Sequence, residues 1–255
     1  MAPGLDPLLV AAYDAQADLV RDWLDGLSEA DLERPSTLPG WRVAELAVHL
    51  AHVSSALADA LAAPRPVRGT APLTIAAYIG HYPAAAAEIA AREVAAAAGL
   101  STDDLRRLFT SERTRVRRAL DLLADTDPVI AARRGSIRTS AMLRTRVNEL
   151  VVHSLDAGVP LDRQALRVSV RMLAEVLAER HPGKAVEVRV PPYAAVQIGA
   201  GLRHTRGTPP NVVECPPEVF VAVASGRRGW ADAVSVGAVR ASGSRADLKP
   251  YLPLL

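Results

Sequence analysis

A chain of 255 residues, 49% hydrophobic and 23% charged, has the composition of a soluble globular protein and the length for one large or two ordinary cores. Its 30 Lys+Arg and 28 Asp+Glu leave a formal charge of only +2, and the arginines are dispersed among acids, which argues against a nucleic-acid partner. A single cysteine, Cys215, excludes an internal disulfide framework; with no leader pattern in residues 1–6 and no apolar run of membrane-spanning length, the expectation is a cytoplasmic protein.

Asp6 and Pro7 form a helix-opening pair, with the acid as N-cap and proline in the first turn; Leu8, Leu9, Ala12, Leu19, Val20, Trp23 and Leu27 follow at helical spacing. Residues 28–31 read as a capped single turn, and two prolines and a glycine in 35–40 interrupt the chain before Trp41. A second helix is expected over about 42–62, a short one over 73–80, an alanine-rich one from Pro83 to Gly99, and a longer one capped at Ser101 and running through Leu123. Residues 127–138 are irregular or a hairpin around Arg134 and Gly135, after which Thr139 or Ser140 caps a helix ending near Gly158. The expected architecture of this half is a bundle of four long helices.

Beyond Pro160 the texture changes. A helix over 164–179 precedes strands at 185–190, 195–198 and 211–215, each alternating with period two. A helix from Pro217 closes at Gly226, residues 234–242 alternate as a further strand, and a short apolar helix is expected over 247–254. The second half is therefore α+β, and the domains are placed at 1–159 and 160–255.

The chemistry concentrates in two stretches. Glu149 and His153 stand at i and i+4, which sets a carboxylate and an imidazole on one helix face, one turn apart. That spacing chelates metals, and His49 is the candidate third ligand from another helix. The plainer reading is a hydrogen-bonded core histidine and a surface helix pair. The apolar setting favours metal, because a carboxylate among Leu and Val needs a compensating charge. Asp156 is either a hydrogen-bond acceptor behind His153 or an ordinary helix-end carboxylate, and His52 a neighbouring polar residue, a fourth ligand or a proton shuttle. Three ligands leave one coordination position open, as in catalytic zinc sites, and a metal there activates a thiol from outside, since Cys215 reads as a buried strand residue. Cys215 and His204 have no local arrangement of a thiol enzyme, and 199–201 is a turn, not a dinucleotide fingerprint. Arg203, Arg206, Arg227 and Arg228 read as solvated loop charges or as carboxylate-binding groups.

The segments Leu38-Pro39-Gly40-Trp41-Arg42 through His49 and Arg146-Val147-Asn148-Glu149 through His153 and Asp156 resemble, in order and spacing, the mycothiol-dependent maleylpyruvate isomerase family of DinB-like metal-binding bundles. Residues 213–254 resemble the end of a sterol-carrier-protein-2-like domain. The resemblance implies His49, Glu149 and His153 as ligands of Zn²⁺ or another divalent metal, with mycothiol, the small thiol of actinobacteria, as cosubstrate. It also implies an essential arginine in the second domain, for which Arg227 and Arg228 are the candidates. The resulting expectation is an isomerase or S-transferase in which thiolate attacks a small electrophile. The alternatives are a sterol or lipid carrier with an apolar ligand in the second domain and a non-catalytic bundle, or a metal-stabilised regulatory protein.

Overall fold

The computed structural model describes residues 4–123, 126–200 and 211–255. They form two compact units, Met1–Ala165 and Leu166–Leu255.

In the first unit, helix α1 (Pro7–Asp25) opens as its sequence dictates: the Asp6 carboxylate accepts the Leu8 N–H at 2.9 Å, and Pro7 occupies the first turn. Leu9, Ala12, Tyr13, Ala17, Val20 and Leu24 then line its buried face. α2 (Glu29–Leu32) is a single turn held by a reciprocal capping box between Ser28 and Asp31. After the proline interruption, α3 (Val43–Ala62) begins where the Glu45 carboxylate accepts the Arg42 backbone N–H at 2.6 Å. α4 (Ile75–Ile79) and α5 (Tyr82–Ala97) lead to α6 (Thr102–Asp121), again opened by a capping box, from Ser101 and Asp104. Strands β1 (Val129–Ala132) and β2 (Gly135–Arg138) pair antiparallel as a hairpin, and α7 (Thr139–Ala157) follows, closed by Gly158 in the left-handed conformation at φ +70°.

Helices α1, α7, α3 and α6 pack in that cyclic order as a four-helix bundle. The fifth long helix, α5, lies outside it against α3. The start of α7 differs from expectation, because neither Thr139 nor Ser140 acts as its N-cap. The hairpin returns the chain so that the Asp127 carboxylate accepts both the N–H (2.8 Å) and the O–H (2.7 Å) of Ser140, while the Thr139 hydroxyl donates to the Pro128 carbonyl at 2.9 Å. Gln16, fully buried on α1, donates to Ser154 Oγ and the Pro160 carbonyl and accepts from the Asp162 N–H, which ties the first helix to the chain beyond the last.

α8 (Arg163–Arg180) starts in the last residues of the first unit. The second unit carries a sheet of order β4-β3-β5-β6, from β3 (Val186–Val190), β4 (Ala194–Ile198), β5 (Val212–Glu214) and β6 (Arg240–Ser242). β3 runs antiparallel to β4 and parallel to β5, and β6 is antiparallel to β5. Val186, Val188 and Val190 are buried in alternation with Glu187 and Arg189, as period two requires. α9 (Pro217–Ala224) precedes two departures from the sequence reading.

Residues 230–235 form helix α10 (Trp230–Ser235), and only three residues of the expected 234–242 strand pair in the sheet. Gly237, at φ +72°, ends α10 in a Schellman turn, with its N–H on the Val234 carbonyl and the Ala238 N–H on that of Ala233. The alternation there carried no burial signal, since Val234 and Val236 are exposed. The expected final helix shrinks to a 3-10 turn, Lys249–Tyr251, because Pro250 and Pro253 deny the N–H groups an α-helix needs. Among the described residues no helix is long and apolar enough to cross a membrane.

Candidate metal centre and its cleft

Three side chains from α3 and α7 converge where these helices meet. Glu149 and His153 share a face of α7, and His49 projects from α3, so that one ligand atom from each lies within 4.8 Å of the others. Both imidazoles turn Nε2 toward Glu149 Oε2, at 3.9 Å for His49 and 3.6 Å for His153. These separations are too long for hydrogen bonds. The two rings stand edge to face at 4.6 Å, and Trp41 meets His49 edge-on at 5.3 Å.

Behind each histidine stands a carboxylate. His153 Nδ1 donates to Asp156 Oδ2 at 2.8 Å, and His49 Nδ1 donates to Glu93 Oε1 at 3.2 Å. With a proton on each Nδ1, both Nε2 atoms face an anionic oxygen, an arrangement that requires a cation or added protons among the three. Burial would raise the Glu149 carboxyl, but the two imidazoles and the Arg146 guanidinium outweigh it and hold that carboxyl well below the usual range. Burial would lower His153, yet Asp156 and Glu149 raise it. Glu93, fully buried, follows the pattern of Glu149: desolvation is overcome by His49, His52 and Arg92, leaving it depressed. Two imidazoles and one carboxylate, with carboxylates orienting both rings, could hold a divalent transition metal.

The centre opens into a cleft of about 470 Å³ walled by α3, α5, α6, α7 and the turn of the hairpin. Tyr82 stands in it between two arginines: Arg146 Nη2 donates to its oxygen at 2.5 Å, and the Arg134 guanidinium lies 4.5 Å over its ring. Burial raises the Tyr82 hydroxyl above its ordinary range, so it stays protonated. Arg92, Arg115 and Arg133 line the same space, and the Arg134 Nε is buried with no hydrogen-bond partner among the described residues.

Residues 13–158, more than half of the chain, match the family described as the mycothiol maleylpyruvate isomerase N-terminal domain. The chain belongs to that family. Residues 162–254 match a second family, the bacterial SCP ortholog. Among solved structures, a crystal structure titled as the mycothiol-dependent maleylpyruvate isomerase gives a TM-score of 0.64 at 17% identity, covering 95% of each chain. A histidine-to-alanine mutant of that enzyme gives 0.63, again at 17% identity and 95% of each chain. At that identity the likeness is one of fold. No curated protein matches the chain.

In this mycothiol maleylpyruvate isomerase family member, Arg227 and Arg228 sit in the turn after α9, their backbone N–H groups on the Ala222 carbonyl and the Arg227 guanidinium on that of Ser225. Arg203, His204 and Arg206 lie outside the described residues. Cys215 is buried, and burial pushes its thiol up to about 12, which leaves it a poor nucleophile. Sequence reasoning missed Glu93, Tyr82, Arg134 and Arg146 as parts of this site. One signal was available for Arg146, which precedes Glu149 by three residues and so shares its helix face. His52 is brought beside Glu93 rather than into the ligand set.

Proposed function

We propose that this chain is a cytoplasmic, metal-dependent enzyme that uses mycothiol as cosubstrate, isomerising a small electrophile or transferring the thiol to it. The observation that carries the reading is the convergence of two carboxylate-oriented imidazoles on Glu149 Oε2. His49, Glu149 and His153 would hold the ion, with zinc the best match to the donor set. When bound, it supplies the Lewis acidity that keeps a thiol as thiolate at neutral pH.

The protein's own groups do the rest. Glu93 and Asp156 keep both Nε2 atoms turned inward. Arg146, 5% exposed, and Arg134, whose Nε has no partner among the described residues, orient an electrophile that bears negative charge, and protonated Tyr82 offers a neutral hydrogen-bonding group beside them. We assign Arg227 and Arg228 a substrate-binding role in the second domain, taken as 160–255. Metal analysis of protein purified without chelator should find one equivalent of divalent ion, and His49→Ala should lose both the ion and mycothiol-dependent turnover. Metal-free wild type, or a His49→Ala variant that keeps thiol-dependent turnover, would refute the reading.

A second reading rests on the other unit. Trp230, Val234 and Ala246 line an open hollow of about 490 Å³, and Val236 nearby is 65% exposed. An apolar ligand carried there would make the chain a lipid or sterol carrier. Solvent extraction and mass spectrometry separate the two, since a co-purifying lipid supports the carrier and a thiol conjugate supports the enzyme.

A further inference from the structure

The ligand set leaves one feature of the first unit without a purpose. Of the side chains on α5, only Glu93 and Ala97 are buried. Tyr82, Ala85 and Ile89 are only partly covered, so apolar burial holds α5 less firmly than the bundle helices, and tertiary packing is what normally holds a helix of this length. Its inward-facing residue is instead a glutamate with 0% exposure, where an ionised group is destabilising unless fully partnered.

Both Glu93 oxygens are engaged. Oε1 accepts from His49 Nδ1 at 3.2 Å and from Arg92 Nη2 at 2.6 Å, and Oε2 accepts from His52 Nδ1. The attachment of α5 to α3 thus runs through two imidazoles, one of them a candidate metal ligand. The same helix contributes Tyr82, Ala85, Ile89 and Arg92 to the cleft wall.

We propose that Glu93 is a positioning residue with two coupled tasks: it holds His49 with Nδ1 protonated and Nε2 toward Glu149, and it fastens α5 as the wall of the cleft. Metal uptake and closure of that wall are therefore linked. This rests on the metal-centre reading above. A docked α5 presents His49 in the tautomer that ligation needs, and His49, once engaged through Nε2, donates more strongly from Nδ1 and tightens the hold on α5. The coupling is reciprocal, as linkage requires.

The test uses full-length wild type, Glu93→Gln and His52→Gln, titrated with Zn²⁺ alone against a competing chelator. Hydrogen exchange is followed over residues 82–97 with and without the ion. In wild type, Zn²⁺ should slow exchange across α5. Glu93→Gln should bind Zn²⁺ about 10–100-fold more weakly and exchange fast in both conditions. His52→Gln spares the contact to His49, so it should keep most of the affinity while α5 exchanges faster; it carries the test if Glu93→Gln does not fold. Unchanged affinity in Glu93→Gln, unchanged α5 exchange in His52→Gln, or α5 exchange in wild type that ignores Zn²⁺ overturns the proposal and leaves the metal centre standing. Wild type that takes up no Zn²⁺ removes the centre itself, and the proposal with it.

Discussion

Asp156 holds His153 from the side opposite Glu149, through a 2.8 Å hydrogen bond between two buried groups. An isosteric amide at that position no longer favours the Nδ1–H tautomer by charge, and it offers an N–H that competes with it. Asp156→Asn should therefore weaken zinc binding by about 10–100-fold, read by chelator competition, with little loss of helicity. Affinity equal to wild type would make Asp156 an ordinary helix-end carboxylate. Residue chemistry also explains why the sequence suggested Asp156 and missed Glu93. Asp156 follows His153 by three residues, within one helical turn, whereas Glu93 and His49 are 44 residues apart and meet only because α5 folds back on α3.

At the scale of elements, the helix starts carry a measurable acid sensitivity. Asp31 and Asp104 each accept hydrogen bonds from the serine that opens their helix, Ser28 and Ser101, and these bonds lower both carboxyls to about 2. Folded values below the unfolded value of about 3.9 stabilise the folded chain fully above that pH, and the contribution is lost as pH falls through about 2. Thermal melts should thus show Tm falling as pH drops from 4 to 2, and Asp104→Asn should flatten that dependence at some loss of stability at neutral pH. In the second unit, Gly183 adopts φ +149°, and a Cβ there would lie 1.8 Å from the Gly199 carbonyl oxygen. Gly183→Ala must separate two backbone segments that bracket β3 and β4. A loss of at least ~2 kcal/mol is expected in denaturant unfolding; a variant as stable as wild type would show that this approach is not tight.

For the whole molecule, the arrangement of the centre predicts what a fragment retains. The ligand set, its two carboxylate partners and every residue lining the cleft belong to the first unit. The bundle has its own core, and Gln16 secures the segment around Pro160 within it. Residues 1–165 expressed alone should fold as a helical protein and bind one zinc ion with the affinity of the full chain, checked by circular dichroism and chelator competition. A folded fragment that binds no zinc would mean that the second unit completes the centre.

Much of the fold was legible because the signals are local. Asp6, Ser28 and Ser101 start helices by bonding to N–H groups two or three residues away, and the valines of β3 alternate because successive side chains in a strand point to opposite faces. The face shared by Glu149 and His153 follows in the same way from helix geometry, and the order and spacing of the motifs pointed to His49. Local rules failed where their signal was ambiguous or incomplete: at 234–242, where the alternating valines are exposed, and at Ser140, whose capping carboxylate arrives from Asp127 across the hairpin. The sequence by itself determined the long helices, the alternation of β3 and the candidate donor types. Only the tertiary structure decided that Glu93 stands behind His49, that α5 walls the cleft, and that Arg134 and Arg146 flank Tyr82. Hydrogen-bond partners and electrostatic neighbours are set by distances of a few ångströms between helices far apart in sequence, and that proximity exists only once they pack.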